Sequence, residues 1–228
     1  MNITLKSLFP LAASILSLVY AVMVLGQYLS RKKMHQLVWT ISFLLFTFAA
    51  FAEFYSEVAG WNPTLYRLYY VSAASLVAFM GAGTVYLLAN RGLAHGFLVL
   101  IVAITAAMLW RAFSVELITA NFEPGVTVAG KAMPDSVRIF SPILTIPGTL
   151  ALVGGALMSW WRTRTVYNLF IAAGAFIIAG SGSMARLGQA QFLYLGEMVG
   201  LVVLFYGFIR SREVSRKPRG DMITFRPK

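Results

Sequence analysis

Apolar runs close to twenty residues long, separated by short polar stretches, recur along nearly the whole chain. A helix needs roughly 20 apolar residues to cross about 30 Å of hydrocarbon, at a rise of about 1.5 Å per residue. The runs predict seven spans, near 8–28, 37–57, 65–89, 97–117, 139–160, 166–185 and 192–209. In lipid every backbone N–H and C=O must be paired within the protein, which these lengths satisfy only as helices. The expected fold is therefore all-α, a polytopic seven-transmembrane helix bundle over 1–209 followed by a basic tail at 210–228. Most connections are short. The stretch 118–138 holds Pro124, Gly125, Gly130 and Pro134 and reads as an irregular loop.

Composition narrows the picture further. Hydrophobic residues make up 59% of the 228 positions and charged residues 12%, and the mean hydropathy is +0.75. Soluble domains carry about twice that charge fraction. With no cysteine, disulfides, thiolate metal sites and thiol nucleophiles are excluded. The net charge of +11 does not point to nucleic acid, because the basic residues are spread over loops and tail. Thirteen of the nineteen Lys and Arg lie in 29–36, 90–96, 161–165 and the tail, against six on the other side. By the positive-inside rule the N-terminus is outside and the C-terminus cytoplasmic, in a bacterial plasma membrane. The first span is followed, not preceded, by its basic cluster (Arg31, Lys32, Lys33), so it is expected to be retained and not cleaved as a signal peptide. The tail suits anionic lipid headgroups, or docking of an acidic cytoplasmic signalling or membrane-complex partner.

Candidate chemistry rests on ionisable groups within spans, each of which costs roughly 2.5–3.5 kcal/mol at a bilayer centre. Glu53, Arg67, Arg111 and Glu197 fall on four different helices, each roughly 3–9 Å inside the outer edge of its span at helical rise. Two acids and two bases at one level compose either an ion-pair network or a polar ligand pocket, with Glu57, Glu116, Arg138 and Arg186 at its rim. Tyr66, Tyr69 and Tyr70 share one helix face by spacing and are placed to wall such a pocket. Glu197 lies between Gly196 and Gly200, a small-xxx-small pair expected to bring two helices of the same chain together. Pro142 and Pro147 free the carbonyls of Arg138 and Ile143, and Gly180-Ser181-Gly182-Ser183 weakens the sixth span. His35 and His95 lack a partner at helical spacing, so neither a haem nor a zinc site is expected, and no cofactor is. No nucleophile–base set or phosphate loop occurs, and the expectation is a protein that is not an enzyme.

Gly60, Leu65, Tyr66 and Val71 match Gly188, Leu193, Tyr194 and Val199 at one constant offset. Taken with span lengths, this suggests two parallel three-helix halves joined by span 4. The outline resembles the microbial rhodopsins, but the seventh span has Leu201, not lysine, four residues after Glu197. It also resembles sugar transporters of the SWEET and PQ-loop type, yet holds no Pro-Gln pair. The stretch from Glu53 through Trp61-Asn62-Pro63 to Tyr66-Arg67-Leu68-Tyr69-Tyr70 resembles the seven-transmembrane sensor regions that precede some bacterial histidine kinases. That resemblance implies a sensor or accessory membrane module with a small polar site near its outer face, signalling through a separate protein. The alternative expectation is a small-molecule or ion transporter.

Overall fold

A computed structural model of the chain describes residues 5–122, 130–186 and 191–216. Pro124, Gly125, the repeat position Gly188 and the tail beyond Arg216 lie outside these residues, as does the side chain of Arg186. The described residues form helices α1 (Leu5–Arg31), α2 (Met34–Ala59), α3 (Pro63–Leu88), α4 (Arg91–Ser114), α5 (Asp135–Arg138), α6 (Phe140–Thr163), α7 (Tyr167–Arg186) and α8 (Gln191–Arg216). Seven of these elements, with α5 and α6 counted together, are long and apolar enough to cross a membrane. The chain is thus a multi-pass membrane protein by its helices, and each expected span finds its helix. The last helix runs past the expected end at 209, so the basic tail begins as helix and not as an irregular segment.

Local sequence explains several ends. Asn62 caps α3 by accepting the Leu65 N–H at 2.8 Å, with Pro63 in the first turn where its missing N–H costs nothing. Asn90 repeats the device for α4 at 2.9 Å. The break between α5 and α6 falls at Ile139, beside the carbonyl that Pro142 leaves without its helical donor. By contrast α7 continues through Gly180–Ser183, where Ser181 and Ser183 donate back to the carbonyls of Ile178 and Ala179.

Six helices close a ring in the order α1, α2, α3, α6, α7, α8 and back to α1, and α4 packs outside it on α3. The ring's contacts map onto themselves when α1, α2 and α3 exchange with α6, α7 and α8, as two parallel three-helix halves require. Small residues set the closest approaches. A Cβ on Gly148 would stand 2.6 Å from the Ala78 Cα, and one on Gly81 would be 2.8 Å from the Gly148 Cα. Between α7 and α8, Gly196 faces Ser181, and Gly200 faces Gly174 and Ile178. The Gly196–Gly200 pair therefore joins helices of one chain, because without a hydrophobic drive in lipid, packing depends on such close contact.

We call the end of the bundle that carries residues 115–122 and 130–134 the loop end, and the opposite one, where α8 runs out, the tail end.

Candidate functional site

At the loop end a cavity of about 500 Å³ occupies the ring, reaching from Gly130 and Ser141 down to Leu76 and Ile178 at mid-bundle. Its walls are contributed by α2, α3, α6, α7 and α8. Tyr69, Tyr70 and Glu197 line it, with Ser141, Thr145 and Thr149 on the α6 side. Gly130 closes over Tyr70 with φ of 87°, and a Cβ there would stand 3.0 Å from the Tyr70 ring. Glycine is favoured there both by the positive φ and by the ring beneath it.

Glu53 stands behind Tyr69 and Glu197. It is 2% exposed, and its Oε1 accepts the Tyr69 hydroxyl at 2.8 Å. Glu197, which lines the cavity, lies within hydrogen-bond reach of the Glu53 carboxyl. The Glu53 Oε2 is buried, and no N–H or O–H of another side chain or of the backbone donates to it. Two carboxyls this close are joined by a hydrogen bond only with a proton between them, and are bridged otherwise only by a cation. One turn further toward the loop end, Tyr194 donates to Glu57 at 2.9 Å and ties α8 to α2. Tyr69 and Glu197 are separated by the same offset as the matched Tyr66 and Tyr194, so the two halves bring a phenol and a carboxyl to corresponding positions. Trp61 packs edge-on against Tyr66 and tilted against Tyr69, at 5.3 and 4.9 Å between ring centroids.

The structure brings Glu53, Tyr70 and Glu197 together but corrects the expected acid–base network. Arg67 turns outward to α4, where Nε and Nη2 donate to the carbonyls of Ala112 and Val115 at 2.8 and 2.9 Å. Those carbonyls close the C-terminal end of α4 and have no helical donor of their own, so a guanidinium is a favourable cap. Arg111 is exposed on α4, outside the ring. Among the described residues the ion pair is Arg138 with Asp135, a surface contact at 3.1 Å and not part of the site. Glu116, expected at the rim, is exposed too. Depth was shared by the four charges, but direction was not.

A second cavity, of about 360 Å³, lies at the tail end of the same ring. Phe43, Met80, Leu152, Leu204 and Phe208 make its apolar wall, and Asn168 and Ser159 supply its polarity. Asn168 donates to Ser159 at 3.1 Å and Thr165 at 2.8 Å, knitting the turn between α6 and α7. Sequence reading missed this cavity, since a lone Asn near an interface carries no signal. Among the described residues no group of three His, Cys, Asp or Glu side chains converges as a metal site would require. No protein-family model matches the chain, and neither a curated protein nor a solved structure shows significant similarity to it.

Proposed function

We propose that the protein is a small-molecule transporter of the plasma membrane that binds its substrate in the loop-end cavity, against Tyr69 and Glu197, with Glu53 behind them. The observation that carries this reading is the pair of cavities within one ring of helices. On α2 the loop-end cavity ends at Phe46 and the tail-end cavity begins at Phe43; on α3 the corresponding residues are Val77 and Met80. At helical rise each step amounts to about 4.5 Å. The layer between is one apolar cluster that includes Phe43, Phe46, Leu76, Met80, Leu152 and Leu204, with no charge to anchor it shut. Two three-helix halves that meet along α3·α6 and α8·α1 form a natural rocking pair around such a layer. The basic asymmetry places the loop end outside and the tail in the cytoplasm.

The absence of cysteine makes the test direct. Single cysteines at Leu76 and Met80 are probed with a membrane-impermeant thiol reagent from each face of oriented vesicles. In a transporter both positions react from both faces, because each state exposes the layer to one side. Labelling of Leu76→Cys from one face only, with Met80→Cys from the other only, under every condition, would overturn the reading. A sensor module using the same site is the second reading, supported by the carboxyl pair alone; it binds without flux and gives that one-sided result.

A further inference from the structure

Taking the loop-end cavity as the substrate site, we infer that its ligand is an amphiphilic organic cation, an ammonium group on an apolar body, held at Glu197, the cavity-facing member of the carboxyl pair with Glu53, in exchange for a proton. Three features converge on this class. The first is the carboxyl pair with its undonated, buried Glu53 Oε2, a polar atom in want of a donor or a cation. Groups facing it are Glu57 on its own helix, Tyr69 on α3, and Glu197 with Tyr194 on α8. From α1, Ser14 and Ser17 donate to α2 carbonyls, and α7 sets Ser181 against Gly196. No described basic side chain pairs with any of these acids. An anion would meet two carboxyls and no described counter-charge, an uncompensated burial of charge that disfavours it.

Second, the cavity suits an organic body better than a bare metal ion. About 500 Å³ is the size of a small-molecule site, whereas a metal needs several converging ligands, which the described residues do not provide. Tyr69 and Tyr70 line the cavity, and aromatic rings attract an ammonium. Third, Ile146 and Leu150 line the cavity from α6 and are themselves 58% and 69% exposed, so on that side the cavity reaches the lipid-facing surface of the ring. An amphiphile partitioned in the membrane has a short route in.

Charge balance fixes the exchange. The cation enters and the proton shared by the carboxyls leaves to water; the pair goes from one negative charge to two, and the bound cation returns the site as a whole to one. Raising the pH therefore favours the cation, and lowering it favours the proton.

The probe pair is benzyltrimethylammonium and its neutral isostere neopentylbenzene, titrated into the full-length protein in detergent, with proton release followed by an indicator dye in weak buffer. The expected result is binding of the cation at least tenfold tighter than the isostere, with up to one proton released per cation. Affinity should fall on the order of tenfold per pH unit in the acid range, as displacement of one proton requires. Glu53→Gln and Glu197→Gln should each weaken the cation at least tenfold and leave the isostere unchanged. Equal binding of the two probes by the wild-type protein, or no proton release with the cation bound, would overturn the assignment even if neither variant folds. No binding of the cation at all would do the same. The thiol-labelling result stands apart from these outcomes, so a failed ligand class and a failed transport reading are told apart.

Discussion

The two ends of the helix ring hold cavities of comparable size made from different chemistry. At the loop end, two carboxyls and a phenol are drawn into contact across three helices, α2, α3 and α8. At the tail end the Asn168 amide is satisfied by hydroxyls of the turn between α6 and α7, and the Trp39 indole and Thr84 hydroxyl donate to the Met80 carbonyl. The difference teaches where the bundle holds unspent binding capacity. A hydrogen-bonded turn locks structure and asks for nothing more, whereas two acids facing each other leave an acceptor that only a proton or a cation can satisfy. Between the ends, the layer is apolar in its side chains, and the buried hydroxyls of Ser17 and Ser42 there are spent on the carbonyls of Phe43 and Leu76.

Predictions that bear on this contrast differ in size. The largest effect is expected in the middle, from Gly148→Ala, which forces a methyl into the Ala78 backbone where no side chain can yield. Overpacking of this kind costs about 1–3 kcal/mol or more, and a detergent melting curve should show both ends lost together in one lowered transition. Separate transitions for the two ends would instead show that they fold independently.

Tyr69→Phe removes the donor to Glu53 Oε1 without changing shape. The interhelical bond is worth about 0.6–1.7 kcal/mol in a membrane protein, so stability should drop within that range while cation affinity shifts. A stability loss with unchanged cation affinity would detach Tyr69 from the site. At the tail end, Asn168→Ala should cost about 0.5–1.5 kcal/mol from its local bonds, with no change in what the loop-end cavity binds. Altered binding there would break the contrast between a locked end and an open one.

Arg111→Gln gives the smallest effect. With its side chain exposed on a peripheral helix, it should change stability by no more than about 0.5 kcal/mol and leave binding alone. A loss of binding comparable to that of Glu197→Gln would restore Arg111 to the site and contradict the placement of α4.

Much of this architecture was legible along the chain. Hydrophobic runs gave the spans because lipid demands helices of a set length, and Asn62-Pro63, Pro142 and the Gly196–Gly200 pair marked local events that the fold repeats. Even the level shared by Glu53 and Glu197 was readable, since helical rise converts sequence position into depth.

Azimuth was not. In water a helix announces its buried face by an apolar stripe, but a span such as α4 is apolar on every side, so nothing in its sequence says which side meets protein. Only the packing of the ring, fixed by contacts such as Gly148 against Ala78, turned Glu53 and Glu197 toward each other, sent Arg67 to the carbonyls ending α4 and left Arg111 outside. The sequence by itself determined how deep each charge lies, through the rise of the helix; the tertiary structure alone decided which charges meet, because rotation about a helix axis is set by its neighbours.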